Sequence, residues 1–167
     1  MQYTLTCTYL DDDRNGVFSY ALQDYKGIIL SGSFIAPGDV KNDKTYVGHV
    51  ALRRALREVA RKVEGNVKLT IKLDEVLVEY VGFELLDGVA TPLYPSLCEM
   101  TKRSLRRFED HEFAKISTEI DGGISSDEAA ALDNAEELMD HLKTFKGRLE
   151  LIKMCLVNPN KIIRGNK

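Results

Sequence analysis

The segment NVKLTIKLD, residues 66–74, decides the fold. Val67, Leu69, Ile71 and Leu73 alternate with Lys68, Thr70, Lys72 and Asp74, the period-two pattern of a strand with one buried face. The stretch before it, KTYVGHVALRRALREVARKV at 44–63, has a helical period: Leu52, Leu56, Val59 and Val63 fall on one stripe. Glu64-Gly65-Asn66 ends that helix, and Asn42 or Asp43 is placed to cap its start. A strand that returns after a long crossover helix joins its sheet in parallel. Residues 66–74 therefore predict an α/β layer architecture.

Upstream, QYTLTCTYL (2–10), VFSYALQDY (17–25) and IILSGSFIA (28–36) read as an antiparallel meander. Asn15-Gly16 and Lys26-Gly27 supply its tight turns. Downstream, Asp74 caps a helix that begins at Glu75 and stops near Gly88. Ser96 and Glu99 form a capping box for a helix through Phe108, with Leu97, Met100, Leu105 and Phe108 inward. EFAKISTEI (112–120) is a fifth strand, and Ser125 with Glu128 caps a last helix to about Phe145. GRLELIKMCLV (147–157) fits strand or helix, and NPNKIIRGNK (158–167) reads as a loose basic end. We expect one domain over 1–145 and a C-terminal extension over 146–167.

Bulk properties narrow the classes. The chain has 167 residues, 44% of them apolar and 29% charged, as in an ordinary globular domain. No apolar run is long enough for a membrane span, and the N-terminus lacks a signal-peptide pattern, so the expected location is cytoplasmic. Cys7, Cys98 and Cys155 are far apart in sequence and form no CxxC pair, as expected of buried thiols in a reducing compartment. The net charge of −3 conceals patches of both signs. Lys102, Arg103, Arg106 and Arg107 form one basic cluster, and the tail from Lys143 adds seven Lys or Arg against Glu150.

The element order resembles the ribonuclease H-like fold over residues 2 to 145. VGHVAL (47–52) is similar to the family's AEYxAL helix start, and LTIKLDEVLVEYV (69–81) to its strand followed by DSQYV. The resemblance implies a mixed five-stranded sheet flanked by helices. It also implies nuclease chemistry on two magnesium ions held by three or four carboxylates. The positions it assigns to those carboxylates hold Thr6, Cys7 and Thr8 in the first strand and Gly48 in the first helix. Asp74 or Lys72 stands at the end of the fourth strand, and Asp133 or Ala131 in the last helix. Cys7, Gly48 and Lys72 are not hard-metal ligands. Asp74 and Asp133 are the residual carboxylate candidates, although Asp74 also reads as an N-cap.

The first expectation is a non-catalytic ribonuclease H-like binding module, with no cofactor, that meets a protein partner or a nucleic-acid backbone. Lys102, Arg103, Arg106 and Arg107 would form its binding surface. A second reading keeps a magnesium nuclease with a rearranged site, drawing on Asp11, Asp12 or Asp13 with Asp74 and Asp133; His49 is a candidate base. A third is an assembly subunit that docks through the uncharged strand 28–36. If Gly48 faces the open end of the sheet, a glutamate is accommodated there.

Overall fold

The computed structural model describes residues 1–86, 91–116 and 126–165. Strands β1 (Gln2–Asp11), β2 (Asn15–Asp24) and β3 (Gly27–Pro37) form the meander. Helix α1 (Lys44–Lys62) crosses over to β4 (Lys68–Leu73). The sheet order is β3-β2-β1-β4-β5, with β5 at Asp110–Lys115. The pairs β1–β2 and β2–β3 are antiparallel, while β1–β4 and β4–β5 are parallel. This is the α/β layer architecture that the 66–74 reading predicts, and the mixed five-stranded sheet that the resemblance implies. Part of the expected fifth strand, 117–120, lies outside the described residues, as do Gly88 and Ser125.

The alternation of each strand assigns its two faces. Tyr3, Leu5, Cys7 and Tyr9 of β1, with Leu69, Ile71 and Leu73 of β4, build the main core under α1. Leu52, Leu56 and Val59 close that core from above, as their spacing requires. On the other face Val17 and Ile35 pack with Ala135, Met139 and Leu142 of α5 (Ser126–Lys143). Asp43 caps α1 by accepting from the Tyr46 amide at 3.0 Å.

The chain after β4 is helical in three short pieces: α2 (Glu75–Leu77), a π-helical turn (Val78–Gly82) and α3 (Phe83–Leu85). This segment lies against α1 at Gly48. A Cβ on Gly48 would collide with the Val81 side chain, and both residues are buried. Gly48 therefore provides close helix packing and does not face an open cleft, contrary to the condition for accommodating a glutamate.

Other local readings are also corrected. The β1–β2 turn centres on Asp12, whose Oδ1 accepts from the Arg14 and Asn15 amides at 2.8 Å. Asn15 and Gly16 are already strand, and Gly16 leaves room for the Tyr9 hydroxyl. Helix α4 (Pro95–Leu105) starts on proline without a side-chain cap, so Ser96 and Glu99 form no capping box. Leu97, Leu105 and Phe108 are buried as expected, but Met100 is exposed.

The C-terminal part is not loose. GRLELIKMCLV belongs to α6 (Phe145–Val157), capped by the Thr144 hydroxyl, which accepts from the Gly147 amide at 3.0 Å. Ile162 and Ile163 are buried, and Ile162 forms a parallel bridge to Ile35 on β3. The Ile163 amide donates to the Ile35 carbonyl at 2.8 Å, and Arg54 of α1 binds the carbonyls of Asn160 and Ile162. The basic composition of 158–167 obscured the isoleucine pair that docks it.

Filling Gly48 is expected to destabilise the protein. Gly48→Ala should cost about 1–2 kcal/mol, since overpacking against Val81 outweighs the gain in helix propensity. Gly48→Glu should cost about 3 kcal/mol or more, because it also buries a charge. Urea unfolding midpoints equal to the parent's would refute the packing role.

Candidate functional site

The parallel strands β1 and β4 end side by side, with Cys7 opposite Leu73. Asp74 follows immediately. Its Oδ2 accepts from the Tyr9 amide at 2.6 Å and its Oδ1 from the Leu77 amide at 2.8 Å. The same carboxylate thus links the two strands and caps α2, the N-cap role read from sequence. Burial pushes its carboxyl above the usual aspartate range, and the Leu77 and Tyr9 amides only partly counter this.

Beside Asp74 opens a pocket of about 280 Å3, lined by Thr8, Asp74, Glu75, Lys115, Glu128 and Leu132 among others. Glu128, in the first turn of α5, is buried and forms an ion pair with Lys72 of β4. Lys115 pairs with Glu75 at 3.3 Å on the rim. The Thr8 hydroxyl donates to the Ala131 carbonyl at 3.2 Å, joining β1 to α5. Thr6 Oγ1 is buried without a hydrogen-bond partner among the described residues.

The structure separates the residues singled out in the sequence. Asp74 lines the pocket, but Asp133 is exposed on α5 and does not. Sequence reasoning missed Glu128 as a site residue, having read it only as half of a capping box. The usable signal was its position in the first turn of the last helix. Cys7 points into the main core, where burial pushes its thiol up. Asp11 pairs with Lys44, and Asp12 is occupied by its own turn. Asp12 and Asp13 line a different hollow, near Leu142 and Lys143 at the far end of α5. His49 is wholly buried, with its ring nitrogens facing Thr101 and Glu84.

The basic cluster straddles the end of α4. Arg103, Arg106 and Arg107 are exposed and Lys102 is half-buried. Arg103 and Arg106 both reach Glu99, at 3.3 and 3.6 Å. A second surface, not anticipated from sequence, lies on α6. Phe145, Leu149, Ile152 and Leu156 are 76%, 52%, 60% and 81% exposed. Their spacing matches that of the buried stripe on α1.

Solved structures show the same architecture. The ribonuclease H1 of the halophilic archaeon Halobacterium salinarum NRC-1 matches with a TM-score of 0.53 at 18% identity, over 81% of this chain and 100% of that one. LC11-RNase H1, isolated from compost by a metagenomic approach, matches with a TM-score of 0.56 at 16% identity, over 86% of this chain and 97% of that one. A foamy viral protease-reverse transcriptase in complex with RNA/DNA hybrid matches with a TM-score of 0.50 at 14% identity, over 81% of this chain and 19% of that one. No protein-family model and no curated protein matches the sequence. At these identities the likeness establishes the fold, which is ribonuclease H-like.

The raised Asp74 carboxyl has a pH consequence. The fold prefers its neutral form, so its contribution to stability is complete below the ordinary aspartate value. That contribution is lost as pH rises through the raised folded-state value. The stability difference between the parent and Asp74→Asn should therefore shift against the parent across that window. Urea midpoints of both proteins from about pH 3 to about pH 7 would measure it; a difference independent of pH would exclude it.

Proposed function

We propose that this ribonuclease H-like chain is a non-catalytic binding module whose partner is a protein. The observation that carries the reading is the apolar stripe of α6, whose Phe145, Leu149, Ile152 and Leu156 are more than half exposed. Four large apolar side chains in helical register on a surface are a protein-docking feature. The opposite side of α6 already packs Leu151, Met154 and Cys155 against the α5-side core.

The pocket at Asp74 supports the absence of cleavage. Two magnesium ions need several converging carboxylates. Both Asp74 oxygens already accept backbone amides, and Glu128 holds Lys72. Cys7 faces the core and Gly48 packs on Val81. We read this set, among the described residues, as short of the carboxylates that a magnesium pair needs, and assign no hydrolytic step to it.

A nucleic-acid backbone is the second reading. It is favoured by two guanidinium groups sharing one carboxylate, Glu99, with exposed Arg107 adding further charge. The foamy viral protease-reverse transcriptase is in complex with an RNA/DNA hybrid; on this reading the hybrid or a related duplex would bind here through phosphate contacts at the basic cluster.

No magnesium- or manganese-dependent turnover of RNA–DNA hybrid is expected. Turnover abolished by Asp74→Asn would establish a nuclease. Leu149→Glu/Ile152→Glu/Leu156→Glu should leave the melting temperature within a few degrees of the parent's, because these side chains are exposed. It should abolish recovery of the partner by affinity purification. Recovery that survives the substitutions but not nuclease treatment would favour nucleic acid.

In that case Arg103→Ala/Arg106→Ala/Arg107→Ala should weaken binding of all sequences alike. The slope of log affinity against log salt should fall by about 0.7–0.9 per lost phosphate contact. Fluorescence anisotropy at several salt concentrations measures this, and an unchanged slope would remove the basic cluster from consideration.

A further inference from the structure

Away from the Asp74 pocket, three helical elements bring His49, Glu84 and Cys98 together. His49 is on α1, Glu84 on α3 and Cys98 on α4. Their ligand atoms all lie within 4.8 Å of one another. His49 and Cys98 are buried, and the Glu84 side chain is 12% exposed. None of the three lines the pocket beside Asp74.

Both ring nitrogens of His49 face polar groups. The Thr101 hydroxyl has a single proton, and it donates to the Leu97 carbonyl at 3.0 Å, the ordinary bond one helical turn back. Its oxygen lies 3.1 Å from His49 Nδ1, and the tautomer with the hydrogen on Nδ1 donates to it. In the neutral ring this leaves a lone pair on Nε2. That nitrogen faces Glu84 Oε2 at 2.9 Å. In that tautomer Nε2 offers its lone pair to a cation beside Glu84; in the other it donates to the carboxylate.

From this constellation we infer a zinc site formed by His49 Nε2, a Glu84 carboxylate oxygen and Cys98 Sγ. Imidazole, thiolate and carboxylate suit zinc; the sulfur argues against magnesium or calcium. A separation of 2.9 Å between the nitrogen and the oxygen subtends about a right angle at an ion about 2 Å from each. Small side-chain rotations open it to a tetrahedral angle and bring in the sulfur.

The surrounding contacts have the character of a supporting shell. The Thr101 hydroxyl lies against His49 Nδ1, and the Leu93 amide donates to Glu84 Oε1 at 2.8 Å. The Cys98 thiol now donates to the Glu84 carbonyl at 3.2 Å; on metal binding that proton leaves to solvent. The ion ties α1, α3 and α4 together, so its effect is on stability. The inference does not depend on whether the chain cuts or binds nucleic acid.

The test uses the full chain, stripped with chelator and titrated with Zn2+ or Co2+. Zinc should bind at one equivalent and raise the melting temperature by several degrees, reversibly with chelator. Cobalt should give the visible absorption of a tetrahedral site and a thiolate-to-cobalt charge-transfer band. Cys98→Ala should remove the charge-transfer band, and His49→Gln should weaken zinc binding by about 100-fold or more. Absence of zinc binding and of the cobalt band in the unmodified chain would overturn the site without recourse to any variant. So would undiminished binding in folded Cys98→Ala.

Discussion

Asp74 joins β1 to β4 through both its main chain and its side chain. Its amide donates to the Cys7 carbonyl at 3.2 Å, and its carboxylate accepts from the Tyr9 amide at 2.6 Å. These bonds extend the parallel ladder one residue beyond Leu73 and set where the sheet ends. The other carboxylate oxygen turns the chain into α2. The register of β4 against β1 decides which residues face α1 and which face α5, so a one-residue slip would exchange the faces.

The two faces handle charge differently. Beneath α1 the core is apolar, and Tyr20 reaches Glu58 at its margin. On the α5 face Lys72 comes from the middle of the sheet and pairs with buried Glu128. Breaking such a pair costs more than forming it gains, because one charge is left desolvated. It therefore specifies where α5 sits more than it adds stability. The outer edge of β3 receives a different cover. Ile162 bridges Ile35, and the following amide bonds to the same residue. At that point the edge that sequence offered for partner docking is already occupied by the chain itself.

The sheet was legible because alternation in 66–74 and the helical stripe before it each constrain one face. The caps at Asp43 and Asp74 were legible for a similar reason: a short acceptor just before a helix has few other uses. Gly48 was not, because a glycine looks the same whether it opens a cleft or admits a neighbour's side chain. Its role depends on Val81, thirty-three positions away (81 minus 48). Glu128 and Lys72 are fifty-six positions apart, and no local pattern joins them. His49, Glu84 and Cys98 likewise lack ligand spacing, since they converge only after α1, α3 and α4 pack.

The α6 helix shows a further limit of periodicity. Its sequence FKGRLELIKMCLV presents apolar side chains around most of its circumference, which is why strand and helix both fitted. Leu151, Met154 and Cys155 account for one side, where they pack towards Ala135, Met139 and Leu142. Phe145, Leu149, Ile152 and Leu156 account for the other, which the single chain leaves exposed. A helix that is apolar all round is normally buried on both sides. In a layered fold the second side would be covered by one more layer. Burying four large side chains would contribute on the order of several kcal/mol to association, at roughly 25 cal/mol per Å2 of apolar surface. That is large enough to matter for complex formation, whereas the basic cluster at α4 is already partly neutralised by Glu99. This difference in unspent binding capacity is the physical ground for placing a protein partner ahead of a nucleic-acid backbone.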